Sequence, residues 1–158
     1  MTEMHSLRLE LEDLYAEYAS CIDDGPLERW PDFFVDPCVY KIIPRENYDR
    51  GLPLTLMSCE SVGMLRDRVE ALKRSSVFVP RALRHMVTSI RIFSALADCV
   101  EACANYLVLE TLLEEPTRIL SSGRYLDKLT RVDGRFRFRE RLCVADSVLV
   151  PGSLVYPV

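Results

Sequence analysis

The sequence predicts an α+β fold in which a strongly curved antiparallel sheet wraps around N-terminal helices as a cone. Three observations carry this reading. Helical periodicity marks the first part of the 158-residue chain, long extended segments fill the second part, and the two patterns do not alternate as they would in a doubly wound sheet.

From Leu7 to Ile22 the apolar positions Leu7, Leu11, Leu14, Tyr15, Tyr18 and Ile22 recur at helical spacing, while Arg8, Glu10, Glu12, Asp13 and Glu17 face away. The helix should stop near Asp24-Gly25-Pro26, where glycine permits a left-handed cap and proline can open a new helix. A short second helix then carries Leu27, Trp30, Phe33 and Phe34, its regularity limited by Pro31. After Asp36-Pro37, Cys38 to Ile43 reads as a strand, and Pro44 to Asn47 as a turn or loop leading to a second extended piece near Tyr48.

A helix from about Cys59 to Arg74 follows, with Ser58 as its N-cap and Val62, Leu65, Val69 and Leu72 on one buried face. Pro80 forbids further helix. Extended segments run from Arg84 to Phe93, Val100 to Leu113 and Arg118 to Thr130, the last two separated by Glu114-Glu115-Pro116. Asp133-Gly134 signals a hairpin turn into the final strand, where Arg135, Arg137, Arg139 and Arg141 point one way and Phe136, Phe138, Glu140 and Leu142 the other. That arginine row is either a solvated sheet face or, through planar contacts to carboxylates, a subunit interface. The tail from Val148 to Val158 is apolar and broken by Pro151 and Pro157, so either a partner surface covers it or it folds back on its own domain.

Length and composition fit one domain spanning residues 1–158. Hydrophobic residues make up 49% and charged residues 28%, the balance of an ordinary globular protein. The net charge of -4 gives no electrostatic reason to bind nucleic acid. Apolar runs fall far short of the ~20 residues that cross a bilayer, so no membrane segment is expected. The chain starts at Met1 without a charged, apolar leader, which predicts a cytoplasmic protein, and most of its six cysteines read as small buried residues rather than a disulfide framework.

Chemistry-bearing motifs are sparse. The histidines are His5 and His85, and CxxC, HExxH, GxGxxG and P-loop patterns are all missing, so neither a metal site nor a nucleotide site is expected in this chain. One constellation has catalytic character. In a cone-shaped pocket Asp23, Tyr40 and His85 would come together as a general base with hydrogen-bond donors or proton carriers. Against this, Asp23 or Asp24 suits a cap on the second helix, and a single histidine beside Arg84 suits a hydrogen-bonded structural role.

The order Tyr18-Ala19-x-x-Ile22-Asp23-Asp24, Leu27-x-x-Trp30-x-x-Phe33-Phe34 with Asp36 and Tyr40, Met64-Leu65-x-x-Arg68-Val69, Arg84-His85 with Ser89, and Arg141-x-x-x-x-Asp146 resembles the small, or beta, subunit of bacterial aromatic-ring-hydroxylating dioxygenases. That family has the nuclear-transport-factor-like cone fold, and the resemblance covers essentially the whole chain. It implies a non-catalytic structural role with no catalytic, cofactor or metal residues in this chain. The Rieske [2Fe-2S] cluster and mononuclear Fe(II) would belong to a partner large (alpha) subunit, above a trimer of small subunits within a hetero-hexamer. Arg68 and His85 would then serve internal packing and hydrogen bonding. The stretch Gly51-Leu52-Pro53-Leu54 leading into Cys59-Glu60-Ser61 is closest to members acting on aromatic acids such as salicylate or terephthalate. The competing readings are a free-standing dehydratase or isomerase using Asp23, Tyr40 and His85, and a cone-fold module that binds a small ligand.

Overall fold

The computed structural model describes residues 3–74, 80–149 and 156–158. Helix α1 (Glu3–Asp24) buries Leu11, Tyr15, Tyr18, Ala19 and Ile22 along one stripe and extends beyond the predicted span at both ends. Gly25, at φ +77°, closes it, its N–H bonding to the Cys21 carbonyl at 3.1 Å. The next turn is a 3-10 helix, Leu27–Phe33, with Trp30, Pro31 and Phe33 buried. Pro31 has no N–H to give a regular α ladder. Phe34, expected inside this helix, instead opens strand β1 (Phe34–Pro44).

Two further expectations change here. Tyr48 lies in a one-turn helix α2 (Arg45–Asp49), not an extended piece. Gly51, at φ +64°, lets the chain double back so that Leu52 N–H reaches the Asn47 carbonyl at 2.8 Å. Ser58 and Cys59 belong to a short strand β2 (Met57–Cys59), and helix α3 starts later, spanning Val62–Arg74. Ser61, not Ser58, caps it: its hydroxyl accepts from Met64 N–H at 3.2 Å, while the Asp36 carboxylate accepts from Val62 N–H at 3.2 Å.

Strands β3 (Arg81–Leu96), β4 (Cys99–Leu112), β5 (Arg118–Val132) and β6 (Arg135–Ala145) complete one open six-stranded sheet in the order β2-β1-β6-β5-β4-β3. It is not wholly antiparallel, because β1 runs parallel to β6. Register shifts interrupt the β1–β6, β3–β4, β4–β5 and β5–β6 ladders, and such bulges raise the local twist that rolls the sheet into a cone around α1.

The shift between β5 and β6 overturns the arginine row. Lys128 pairs with Glu140 and Leu129 with Phe138, which leaves Arg139 as the extra residue. Side-chain parity inverts beyond it. Arg135 and Arg139 stay exposed, but Arg141 points inward and is 0% exposed.

The tail divides likewise. Val148 and Leu149 are exposed, residues 150–155 lie outside the described residues, and Pro157 and Val158 are buried in the chain's own interior. Among the described residues no helix is long and apolar enough to cross a membrane.

Candidate functional site

Asp23, in the last turn of α1, meets His85 on β3. One carboxylate oxygen contacts His85 Nδ1 at 2.5 Å and the other accepts the His85 main-chain N–H at 2.8 Å. Asp24 pairs with exposed Arg84 at 3.7 Å, so neither aspartate caps the 3-10 helix. A groove of about 500 Å³ is lined by both Asp23 and His85, with Ser20, Asp24, Arg84 and Ser89 also on its walls. The imidazole itself, however, is 0% exposed, and its Nε2 is enclosed without a hydrogen-bond partner among the described residues. A general base must reach a substrate proton within hydrogen-bond distance. In this geometry the pair fastens the end of α1 to the edge strand β3.

Tyr40 lies elsewhere. Its hydroxyl accepts from Val158 N–H at 3.0 Å and donates to the Val158 oxygen at 3.2 Å, within an edge-to-face cluster with Trp30 and Phe34. It is not among the residues lining the Asp23–His85 groove. Burial pushes its phenol well above the usual tyrosine range.

The most concentrated charge in the interior is a pair that sequence reasoning did not assemble. Arg141 binds Asp127 through Nε at 2.9 Å and Nη2 at 2.7 Å, and the Tyr15 hydroxyl donates to the same carboxylate at 2.7 Å. Tyr125, Phe138 and Tyr18 present rings to the guanidinium at 3.8, 3.9 and 4.3 Å. Burial opposes the arginine's charge, yet the adjacent carboxylate more than offsets it and raises its pKa well above the ordinary value. One signal was present: Asp127 shares inward parity with Tyr125 and Leu129 on β5. A second buried carboxylate, Glu110, accepts from Arg81 at 2.6 Å and from Arg118 at 2.7 and 2.9 Å.

The residues present do not suit an iron centre. His85 directs Nδ1 at Asp23, and among the described residues no group of His, Cys, Asp or Glu is arranged to hold a metal. Tyrosines at 15, 18, 40, 106 and 125 are held protonated by burial. The outer face of β3–β5 is different in kind. Met86 and Ile119, 50% and 61% exposed, stand opposite partly buried Leu107 and Leu109 in the ladder, an apolar strip facing solvent.

Comparison with known proteins bears directly on this arrangement. The family described as ring hydroxylating beta subunit matches residues 17–151. The small subunit of anthranilate 1,2-dioxygenase from Burkholderia cepacia is 30% identical over 158 residues, covering 100% of this chain and 98% of that protein. The terephthalate 1,2-dioxygenase terminal oxygenase component subunit beta 2 from a Comamonas species is 32% identical over 95% of this chain and 97% of its own length. A solved beta subunit from Novosphingobium aromaticivorans, assigned to an aromatic-ring-hydroxylating dioxygenase, superposes with a TM-score of 0.91 at 36% identity, covering 99% of this chain and 100% of that one. Solved structures at 16% to 24% identity, with TM-scores of 0.66 to 0.73, share the fold alone.

Proposed function

The chain belongs to the ring hydroxylating beta subunit family, and from that membership we propose that it is the non-catalytic member of its oxygenase, shaping the assembly while a large subunit carries the chemistry. As the small subunit of an aromatic-ring-hydroxylating dioxygenase it partners a large subunit. The Rieske [2Fe-2S] cluster and mononuclear Fe(II) reside in that large subunit, and three copies of each chain form a hetero-hexamer. The observation that carries the structural role is the inward commitment of the groups suited to catalysis. His85 and Asp23 bind each other, and Tyr40 binds Val158, so every hydrogen bond these three side chains make is spent within the fold.

The whole chain acts as one domain in this role, in the cytoplasm. Its free cysteines at 21, 38, 59, 99, 103 and 143 suit a reducing compartment. An aromatic acid is the substrate class, an expectation supported by the anthranilate and terephthalate relatives. The apolar strip at Met86, Leu107, Leu109 and Ile119 supplies a surface for a neighbouring subunit.

Co-expression with a Rieske-type large subunit, followed by size-exclusion chromatography and iron analysis, tests the assembly. A co-eluting complex whose iron follows the large subunit is expected; a chain that stays monomeric or dimeric in its presence sinks the reading. The Asp23–His85 pair favours one alternative, a dehydratase or isomerase site. For that reading His85→Ala must abolish turnover in a protein of unchanged melting temperature, whereas the fastening role predicts a lower melting temperature.

A further inference from the structure

Along the flank of α1 two cavities of about 380 and 460 Å³ adjoin, sharing Glu17, Arg29, Phe33 and Arg135 as walls. Together they form one groove bounded by the helix, the 3-10 turn and the start of β6. Its apolar lining comes from Leu14, Phe33 and Phe136, the two phenylalanines buried and the leucine half-buried. The charged lining divides by element. Helix α1 presents Asp13 and Glu17, strand β6 presents Arg135 and Arg137, and the 3-10 turn packed against both adds Arg29 and Asp32.

Among the described residues none of these six charged side chains forms an ion pair. The gap is not imposed along the whole helix, because Glu10, one turn before Asp13, reaches Arg131 at 2.7 Å. Asp13 and Glu17 are four apart on the helix, and Arg135 and Arg137 share a face of the strand, so each wall sets like charges side by side. A simple ion of either sign entering the groove is attracted by one wall and repelled by the other. A molecule bearing both charges at opposite ends complements the two walls at once. The larger apolar share of the lining is aromatic, and a flat ring packs there with its faces against Phe33 and Phe136. A cavity of about 380 Å³ also falls within the ~300–1,000 Å³ of small-molecule sites.

We propose that this groove is a binding site for an aromatic zwitterion, a ring with a carboxylate at one end and an ammonium group at the other. The carboxylate accepts from Arg135 and Arg29, the ammonium donates to Asp13 and Glu17, and the ring covers Leu14 and Phe33. Each polar contact is charge-assisted but open to water, so each contributes modestly and the selectivity comes from meeting both walls. The site is built from this chain alone, and binding does not require the large subunit.

The test titrates the full chain with para-aminomethylbenzoate, using benzoate and benzylamine as its single-charge counterparts, at about pH 7 where carboxylate and ammonium are both ionised. Calorimetry should give the zwitterion a Kd about five-fold below that of either counterpart, the upper end for one exposed ion pair. Amide chemical shifts should move at Leu14, Phe33 and Arg135. Arg135→Gln should bring zwitterion binding down to the level of benzylamine, and Glu17→Gln should weaken it toward that of benzoate. Both side chains are exposed, so the melting temperature should stay unchanged in each variant. Equal affinity for the three probes, zwitterion binding unmoved by both substitutions, or shifts confined to other surfaces overturns the proposal. Absence of saturable zwitterion binding overturns it too; if the same two variants then lose co-elution with the large subunit, the groove docks that chain and no small molecule.

Discussion

Asp127 and Arg141 hold each other in a site that water does not reach, so removing one partner is far worse than removing both. Asp127→Asn leaves the guanidinium without its counter-charge, a loss of about 3–5 kcal/mol for a broken buried pair. Adding Arg141→Met removes the stranded charge and should recover much of that loss. Urea midpoints of the two single variants and the double variant check it through the coupling term, and simple additivity would contradict it. The enclosed phenols and thiols make a second prediction at this scale. Burial raises the phenols of Tyr15, Tyr40 and Tyr125 well above the ordinary tyrosine range, and lifts the Cys38 thiol to about 11. The unfolded chain therefore releases these protons at lower pH than the folded one. The Cys38 contribution is present below pH 9 and is lost as pH rises from 9 through about 11, while the tyrosine contributions are present below pH 10 and are lost as pH rises beyond it, by up to ~1.4 kcal/mol per group per pH unit. Denaturation midpoints across this range should fall, and the buried tyrosines should show their phenolate absorbance only as the chain unfolds.

At the scale of elements, close backbone approach is the sharpest constraint. Gly123 on β5 faces β6 where a Cβ would collide with the Val144 carbonyl, its carbon being 2.9 Å away. The two nearest atoms are main-chain and cannot yield without parting the strands, and the Tyr106 hydroxyl stands 3.0 Å away. Gly123→Ala should cost about 1–3 kcal/mol as overpacking, and more if the ladder parts, read as a lowered melting temperature with hydrogen exchange accelerated along β5 and β6. The same pair of strands shows where local pattern misleads. Alternation along β6 is regular in the sequence, yet the extra residue at Arg139 inverts it and moves Arg141 from the expected outer row to the centre of the core. A bulge is set by how two strands meet, and one strand's residue order does not record it. Helix α3 carries the same lesson in milder form. Its buried face at Val62, Leu65 and Val69 was legible, but its start was displaced because Cys59 pairs with Tyr40 in the sheet.

For the whole molecule, the outer strip at Met86 and Ile119 should matter only in the assembly. Met86→Glu with Ile119→Lys is expected to change the unfolding free energy of the isolated chain by no more than about 1 kcal/mol, since exposed substitutions change little. It should weaken co-elution with the large subunit, and undiminished co-elution would remove this face from the interface. The sequence by itself determined the cone class, the long strands, the helical stripe of α1 and the family, because these rest on periodicity and on residues close together in the chain. It also picked out Asp23, Tyr40 and His85. Only the tertiary structure decided that Asp23 and His85 bind each other while Tyr40 holds Val158, partners separated by 62 and 118 positions. It likewise decided that Arg141 is a core residue and that the end of the tail fills the cone. Such contacts depend on sheet curvature and on which buried polar groups find each other, and those are properties of the packed interior that neighbouring residues do not encode.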